Sequence, residues 1–202
     1  MLPFNTSKIP IDFYQQDVFV VAKNLLGKVL VKKNLNEITA GKITEVEVYT
    51  SDDPASHSFN GRKNKNSVMF DGGGNLYVYF TYGMYFCSNV VTGNINEGSA
   101  ILIRSLEPIA GVDVMSERRF GKINLTEKEK INLLNGPGKI CMAMAINSQH
   151  NGLSLQSDLI FISNYQTVDE NNIGVSERIG ISKAKELQRR FYIKDSKFLS
   201  RN

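Results

Sequence analysis

Two cysteines and two histidines in 202 residues leave little from which to build a metal site or a disulfide framework. Cys87 and Cys141 have no CxxC or Cys/His partner at zinc spacing. Each lies in an apolar stretch, so both read as small buried thiols in a reducing compartment. No run of about 18 apolar residues occurs, so no transmembrane span and no membrane partner are expected. The opening Met1-Leu2-Pro3-Phe4-Asn5-Thr6 lacks a charged n-region and an apolar h-region, and no signal peptide is expected. Asp71-Gly72-Gly73-Gly74-Asn75 lacks the Lys-Ser/Thr of a phosphate loop and reads as a flexible break. No internal repeat or low-complexity tract is seen.

What is present is a chain long enough to bury a sizeable core, expected to form one domain over 1–202. With 24 Lys+Arg against 20 Asp+Glu it is moderately basic, which alone argues weakly for a polyanionic partner. The distribution says more. From Arg178 to Asn202 there are eight Lys/Arg and only two acids, Glu186 and Asp195, so one end is locally positive.

Residues 16–26 carry apolar positions at helix spacing, with Asp17 near the start and Gly27 at the stop. Lys28–Lys32 reads as a strand and Asn34–Glu37 as a turn. Gly41–Thr50 alternates: Thr44, Val46 and Val48 point one way, Glu45, Glu47 and Tyr49 the other. Alternation alone makes the glutamate face a solvated one; the sharper reading is a general base beside an aromatic wall. Asp52–Asn66 is a polar loop holding His57 and the cations Arg62, Lys63 and Lys65, which are solvated or meet phosphates. Ala100–Ser105 is an apolar strand interrupted by Arg104, either paired to a structural carboxylate or projecting into a site. A helix is expected over Pro108–Phe120, and a capping box, Thr126 with Glu129, opens another that runs to Leu134. Gly136-Pro137-Gly138-Lys139 opens a further helix with Met142, Ala145 and Ile146 on its apolar face. Leu159–Ser163, Arg178–Ile181 and Arg190–Ile193 read as strands, the last two joined through Lys183 and Lys185. Helices mixed with antiparallel strands, without regular alternation, make the class α+β.

The densest signal is Leu76–Asn89, Leu-Tyr-Val-Tyr-Phe-Thr-Tyr-Gly-Met-Tyr-Phe-Cys-Ser-Asn. Aromatic residues at this density suit strands, and Tyr82-Gly83 in the middle is a tight-turn signal. The run is either a buried core hairpin or one that carries an aromatic ring at an exposed tip. A tip ring suits insertion at a nucleic-acid base step.

These pieces, in this order, resemble the alkyladenine (3-methyladenine) DNA glycosylase family, the type without a helix–hairpin–helix motif. The matching stretches are Thr44–Tyr49, Ala55-Ser56-His57-Ser58, Leu76–Tyr79 with Tyr82–Cys87 and Asn89, Leu102–Pro108, Gly136–Lys139 and Arg178–Ile181. Coverage runs from about Phe13 to Ser200. The chain departs from the family pattern at Gly72-Gly73-Gly74 and at Glu177, where prolines are common. The resemblance implies a curved, mostly antiparallel sheet with flanking helices and a protruding hairpin. It implies an enzyme that flips damaged purines out of duplex DNA and hydrolyses their glycosidic bond. With Glu47 as a base for water it is expected to be monofunctional. The scattered Cys and His give no ligand set, so no metal or cofactor is expected, and nothing suggests more than a monomer. Such work takes place at the nucleoid of a bacterium or in a eukaryotic nucleus.

By position, the resemblance makes Glu47 the general base. Tyr49, His57 and Tyr79 become the stacking walls, and the backbone near Ala55 and His57 reads the base edge. Asn89 becomes the residue that crowds a guanine 2-amino group, and Tyr82 the wedge. Arg104, Lys139, Arg62 and Lys63 become support or backbone contacts. Two other readings use the same residues: a non-catalytic binder of damaged or single-stranded nucleic acid, and an α+β domain whose tyrosines are only core. A carboxylate at Glu47 repels phosphate and gains a pure binder nothing.

Overall fold

In the computed structural model, which describes residues 4, 6–34 and 36–201, a helical turn α1 (Ile11–Tyr14) leads into helix α2 (Val18–Leu25). The Asp17 carboxylate caps α2 by accepting from the Phe19 and Val20 N–H groups at 2.9 and 3.1 Å. Strands β1 (Val29–Asn34), β2 (Glu37–Tyr49), β3 (Leu76–Thr81), β4 (Tyr85–Thr92) and β5 (Ser99–Ala110) follow. Helices α3 (Val112–Phe120), α4 (Glu127–Asn132) and α5 (Pro137–Ala143) come next. Strands β6 (Ile160–Ser163), β7 (Ile173–Ser176) and β8 (Arg190–Ile193) complete the order. Residues 1–3 and 5, Leu35 of the expected turn, and Asn202 lie outside the described residues.

Among the described residues the strands form one curled eight-stranded sheet, ordered β3-β4-β5-β2-β1-β6, with β8 pairing both β2 and β7. Every pairing is antiparallel. β2 is the spine. One edge carries β5; the other is shared by β1 along Glu37–Lys42 and β8 along Glu45–Glu47. Val46 and Val48 enter the main core with α2, α5, Ile101 and Ile103. Glu45 and Glu47 take the opposite face, so the alternation read from sequence holds from Glu45 to Val48. Thr44, expected beside the valines, instead turns its hydroxyl to the Phe198 carbonyl, in the segment that also binds Glu45.

Four expectations need correction. Pro108 is not helical: β5 continues through Ala110, and α3 starts only at Val112, after Gly111 at φ +69°. The missing proline N–H costs nothing there, because β4 pairs β5 only along Ser99–Leu102. Helix α5 ends at Ala143 instead of reaching Ile146. Ala145 at φ +53° closes it, with the Ile146 N–H donating to the Cys141 carbonyl and the Ala145 N–H to that of Met142. The Gly72–Gly74 run is a packed joint, not a flexible break. A Cβ on Gly73 would lie 2.2 Å from the Tyr14 carbonyl oxygen, so only glycine lets β3 start against α1. Arg178–Ile181 is not a strand; β7 takes the place expected of it. The Thr126–Glu129 capping box is present as read, with its helix ending at Asn132.

Candidate active site

Two β-bulges place the charges. In the β2–β5 register Ile43 faces Leu106, Glu45 faces Ser105 and Val46 faces Ile103, so Thr44 and Arg104 are each the extra residue. A bulge re-aims a side chain that regular pairing would send elsewhere. Here the Arg104 guanidinium lies between the two glutamates: Nε donates to Glu45 Oε1 at 3.2 Å and Nη1 to Glu47 Oε2 at 3.3 Å. Both open readings of Arg104 are therefore realised, since it pairs with buried carboxylates and also lines a cleft.

The glutamate face is not solvated; both side chains are fully buried. Irregular segments cover them. Glu47 Oε1 accepts the Ile179 backbone N–H at 2.7 Å, and Oε2 accepts the Tyr49 hydroxyl at 2.9 Å. Burial raises the Glu47 pKa above the ordinary carboxylate range, against the pull of Arg104, the Ile179 N–H and the Tyr49 hydroxyl. Glu45 is held by Arg104, by Arg190 Nε at 2.7 Å and by Ser200.

Above Glu47 opens a cleft of about 540 Å³. Glu47 lies just beneath its floor, and its three partners, Tyr49, Arg104 and Ile179, all line the cleft. The walls include Tyr49, Tyr77, Tyr79 and His57, with Asn89 and Cys87. His57 meets Tyr79 edge-to-face at 4.5 Å and its Nδ1 is 2.9 Å from the Tyr77 hydroxyl. Burial and the nearby Lys65 cation lower the His57 pKa, so the ring is neutral at neutral pH. Burial raises the pKa of Tyr49 and Tyr79, keeping both phenols protonated, and pushes Tyr77 up to about 12. Asn89 is oriented by donating its amide N–H to the Tyr77 carbonyl at 3.1 Å.

The Ala55 backbone N–H does not face the cleft, because it donates to Asp53 Oδ1 at 2.9 Å. The N–H groups of Ser56 and Ser58 are also bonded within the turn. Among the described residues the His57 N–H has no such partner, which makes it the donor this turn offers to a ligand.

The tip of the β3–β4 hairpin projects beside the cleft. Tyr82 at φ +50° and Gly83 at φ +67° are the central residues of a turn closed by the Met84 N–H on the Thr81 carbonyl. Both dihedrals are those of a primed hairpin turn. Tyr82 is 79% exposed, which rules out the core reading for it, and it borders both the cleft and a second one of about 400 Å³. A positive φ at a bulky residue is uncommon, and here it comes with a ring turned out to solvent. On the expectation from the resemblance that Tyr82 is a wedge, Tyr82→Ser should weaken binding to lesion-bearing duplex by roughly 1–3 kcal/mol, the scale of one stacked base, with the melting temperature unchanged. Equilibrium binding and thermal melting check this; a large fall in Tm instead would show that the ring supports the fold.

The second cleft contains Lys139, whose Nζ donates to Asn135 Oδ1 at 2.7 Å, and Arg119. Arg62 and Lys63 are not brought to either cleft. Arg62 is exposed and paired with Asp71 at 2.6 Å, and Lys63 is exposed on the loop before β3. The basic end is also less free than its sequence suggests. Arg178 and Arg190 are buried on Asp53 and Glu45, and Arg189 pairs with Asp52 and Asp53. Lys183 remains exposed in the cleft lining.

Sequence reasoning missed Asp53 and gave Arg178 no role. The two form a fully buried pair, the Arg178 Nη1 donating to Asp53 Oδ2 and to the Val48 carbonyl. The guanidinium also sits 4.6 Å from the Tyr49 ring centroid. This pair therefore fixes the Tyr49 wall and, through the Ala55 N–H, the His57 turn. An aspartate in a polar loop carries no pattern that would reveal it. Among the described residues, no three of His, Cys, Asp and Glu come together in a way that could hold a metal ion. No helix among them is long and apolar enough to cross a membrane.

Comparison with known proteins shows the family of the chain. A protein of Carboxydothermus hydrogenoformans is 43% identical over 194 residues, covering 96% of this chain and 98% of that one. One from Francisella tularensis is 46% identical over 183 residues, with 89% and 92% covered. One from Methanoculleus marisnigri is 41% identical over 196 residues, with 96% and 98% covered. All three are provisionally named 3-methyladenine DNA glycosylase. The family model for methylpurine-DNA glycosylase matches residues 12–197, and with that match the chain belongs to the methylpurine-DNA glycosylase family, hydrolases of the N-glycosyl bond.

Proposed function

We propose that the cleft receives an alkylated or deaminated purine flipped from duplex DNA, and that Glu47 activates the water that displaces it. The observation that carries this reading is a fully buried carboxylate whose donors all line an aromatic cleft. Chemistry on a base requires taking it out of the stack, and a damaged base costs less to extrude. The Tyr82 ring fills the gap left behind. Tyr49, Tyr79 and His57 enclose the purine, and their π-faces favour an electron-poor, alkylated ring. The His57 N–H donates to its edge.

Glu47 holds about four lone-pair positions and three are occupied, which leaves one for a water drawn in beside Tyr49 and Arg104. The water oxygen bonds to the sugar C1′ as the C1′–N bond breaks. Its proton passes to Glu47, and the purine leaves with the bond pair, an alkylpurine cation as the neutral base and an uncharged purine such as hypoxanthine as an anion that takes a proton from water. A raised pKa makes Glu47 a stronger base near neutral pH. The negative charge beside C1′ also stabilises an oxocarbenium-like sugar. The substrates we infer are 3-methyladenine, 7-methylguanine, hypoxanthine and ethenoadenine in double-stranded DNA, acted on by a monomer.

Duplexes each bearing one of these lesions test the substrate range, with free base as the readout. Asn89 sharpens the test. Its side chain, fixed by the Tyr77 carbonyl, lines the cleft and crowds a guanine 2-amino group, a cost that holds back unmodified guanine and that the better leaving group of cationic 7-methylguanine offsets. Asn89→Gly is expected to raise guanine release relative to hypoxanthine by roughly tenfold, about the effect of one steric contact in a pocket. An unchanged ratio would remove Asn89 from the discrimination.

A further inference from the structure

The back of the site is closed by a short irregular segment, Phe198–Arg201, with no part in the cleft lining. It is tied down at several points. The Phe198 carbonyl accepts the Thr44 hydroxyl at 3.2 Å and the Ser105 hydroxyl as well. The Arg201 carbonyl accepts from Arg190 Nη2 at 2.8 Å. Between these anchors Ser200 enters the charge cluster. Its backbone N–H donates to Glu45 Oε2 at 2.6 Å, and its hydroxyl donates to Glu45 Oε1 at 2.8 Å. The same hydroxyl oxygen accepts Arg104 Nε and Nη2, both at 3.3 Å.

One hydroxyl therefore spends its single proton on Glu45 and both lone pairs on Arg104. Arg104 lies between two carboxylates and could collapse onto either. With Nε and Nη2 held by Ser200, Nη1 is the group directed at Glu47 Oε2 and the Ile179 carbonyl. We propose that Ser200 is a positioning residue: it holds the shared Arg104 guanidinium on Glu47 and so sets the charge state of the base. The proposal rests on Glu47 being the base.

Without the hydroxyl, Glu45 loses a donor and its claim on Arg104 strengthens. The guanidinium then turns toward Glu45, and Glu47 loses part of its cationic partner. A carboxylate that loses an opposite charge binds its proton more tightly. The charged and titratable groups around Glu47 are Glu45 and Tyr49 on β2, Arg104 on β5, Arg190 on β8, Tyr79 on β3, Cys87 on β4 and Arg178 behind Tyr49, with Lys183 in the lining of the cleft above. Among the described residues, Arg104 is the one cation bonded to Glu47 itself.

The experiment is single-turnover base release from a duplex with one hypoxanthine, measured across pH for wild type, Ser200→Ala, Ser200→Thr and Glu47→Gln. For Ser200→Ala we expect roughly tenfold slower release at neutral pH, the cost of a misplaced partner. Its acid limb should move to higher pH by about half a unit, as a weakened ion pair dictates. Ser200→Thr, which keeps the hydroxyl, should restore the wild-type limb. A Ser200→Ala profile that keeps the wild-type limb, with only Tm lowered, overturns the proposal and leaves the segment structural. Glu47→Gln separates the two ideas. If it retains the acid limb and the rate, the base assignment fails, whatever Ser200 does.

Discussion

Glu47→Gln should still bind lesion-bearing duplex and lose base release by at least about 100-fold, the usual scale for removing a general base. The isostere keeps an oxygen for the Ile179 N–H and presents an amide to the Tyr49 hydroxyl, which can accept as well as donate, while Arg104 Nη1, no longer accepted there, keeps the Ile179 carbonyl. What goes is the capacity to take a proton and the negative charge beside C1′. The variant should not be less stable. Burial raises the pKa of Glu47 in the fold, so its stabilising contribution is present below the unfolded carboxylate value and is lost as pH rises through the folded value. At neutral pH the ionised side chain works against the fold, and glutamine removes that cost. Thermal melting at pH 7 should therefore give an unchanged or higher Tm. Glu45→Gln should behave oppositely. Glu45 is buried on two arginines and the Ser200 N–H, so its substitution lowers Tm, with a smaller loss of base release. Equal activity losses in the two variants would remove the base assignment from Glu47.

The largest stability effect is expected at Asp53. Asp53→Ala strands the Arg178 guanidinium, fully buried, with the Val48 and Ala184 carbonyls as its remaining partners. Breaking a buried pair from one side typically costs about 3–5 kcal/mol. Denaturant unfolding should show a loss of that size. Activity should fall in whatever protein remains folded, because the Arg178–Tyr49 contact and the Asp53–Ala55 bond set two sides of the cleft. A loss within the range of ordinary surface substitutions would mean that the cation finds water or another partner.

These two sites also show what the sequence could and could not reveal. The alternation of β2 from Glu45 to Val48 was legible, as were the start of α2 near Asp17, the Thr126 capping box and the aromatic hairpin. That the Glu45 and Glu47 face is buried was not. Its cover comes from Ile179 and from Phe198–Arg201, segments with neither strand nor helix period. Arg178–Ile181 looks like a strand in composition. Its side chain is instead turned into Asp53, and the Ile179 N–H goes to Glu47 rather than to a ladder. The glycines before β3 look mobile until Tyr14, nearly sixty residues earlier, is seen against them. In each case the deciding partner is distant in sequence and polar or backbone in kind, and hydrophobic periodicity does not register such partners.

The central claim is that the nucleophile at C1′ is water activated by Glu47 and not an amine of the protein. Lys183 in the cleft lining makes the alternative concrete, since an amine attacking C1′ would form a Schiff base and could go on to cut the strand. The most direct measurement is turnover of a duplex carrying one damaged purine in the presence of borohydride. Free base and the state of the strand are scored together. The account predicts free purine, an uncut abasic strand and no trapped protein–DNA adduct. A borohydride-trapped adduct on Lys183 would contradict it.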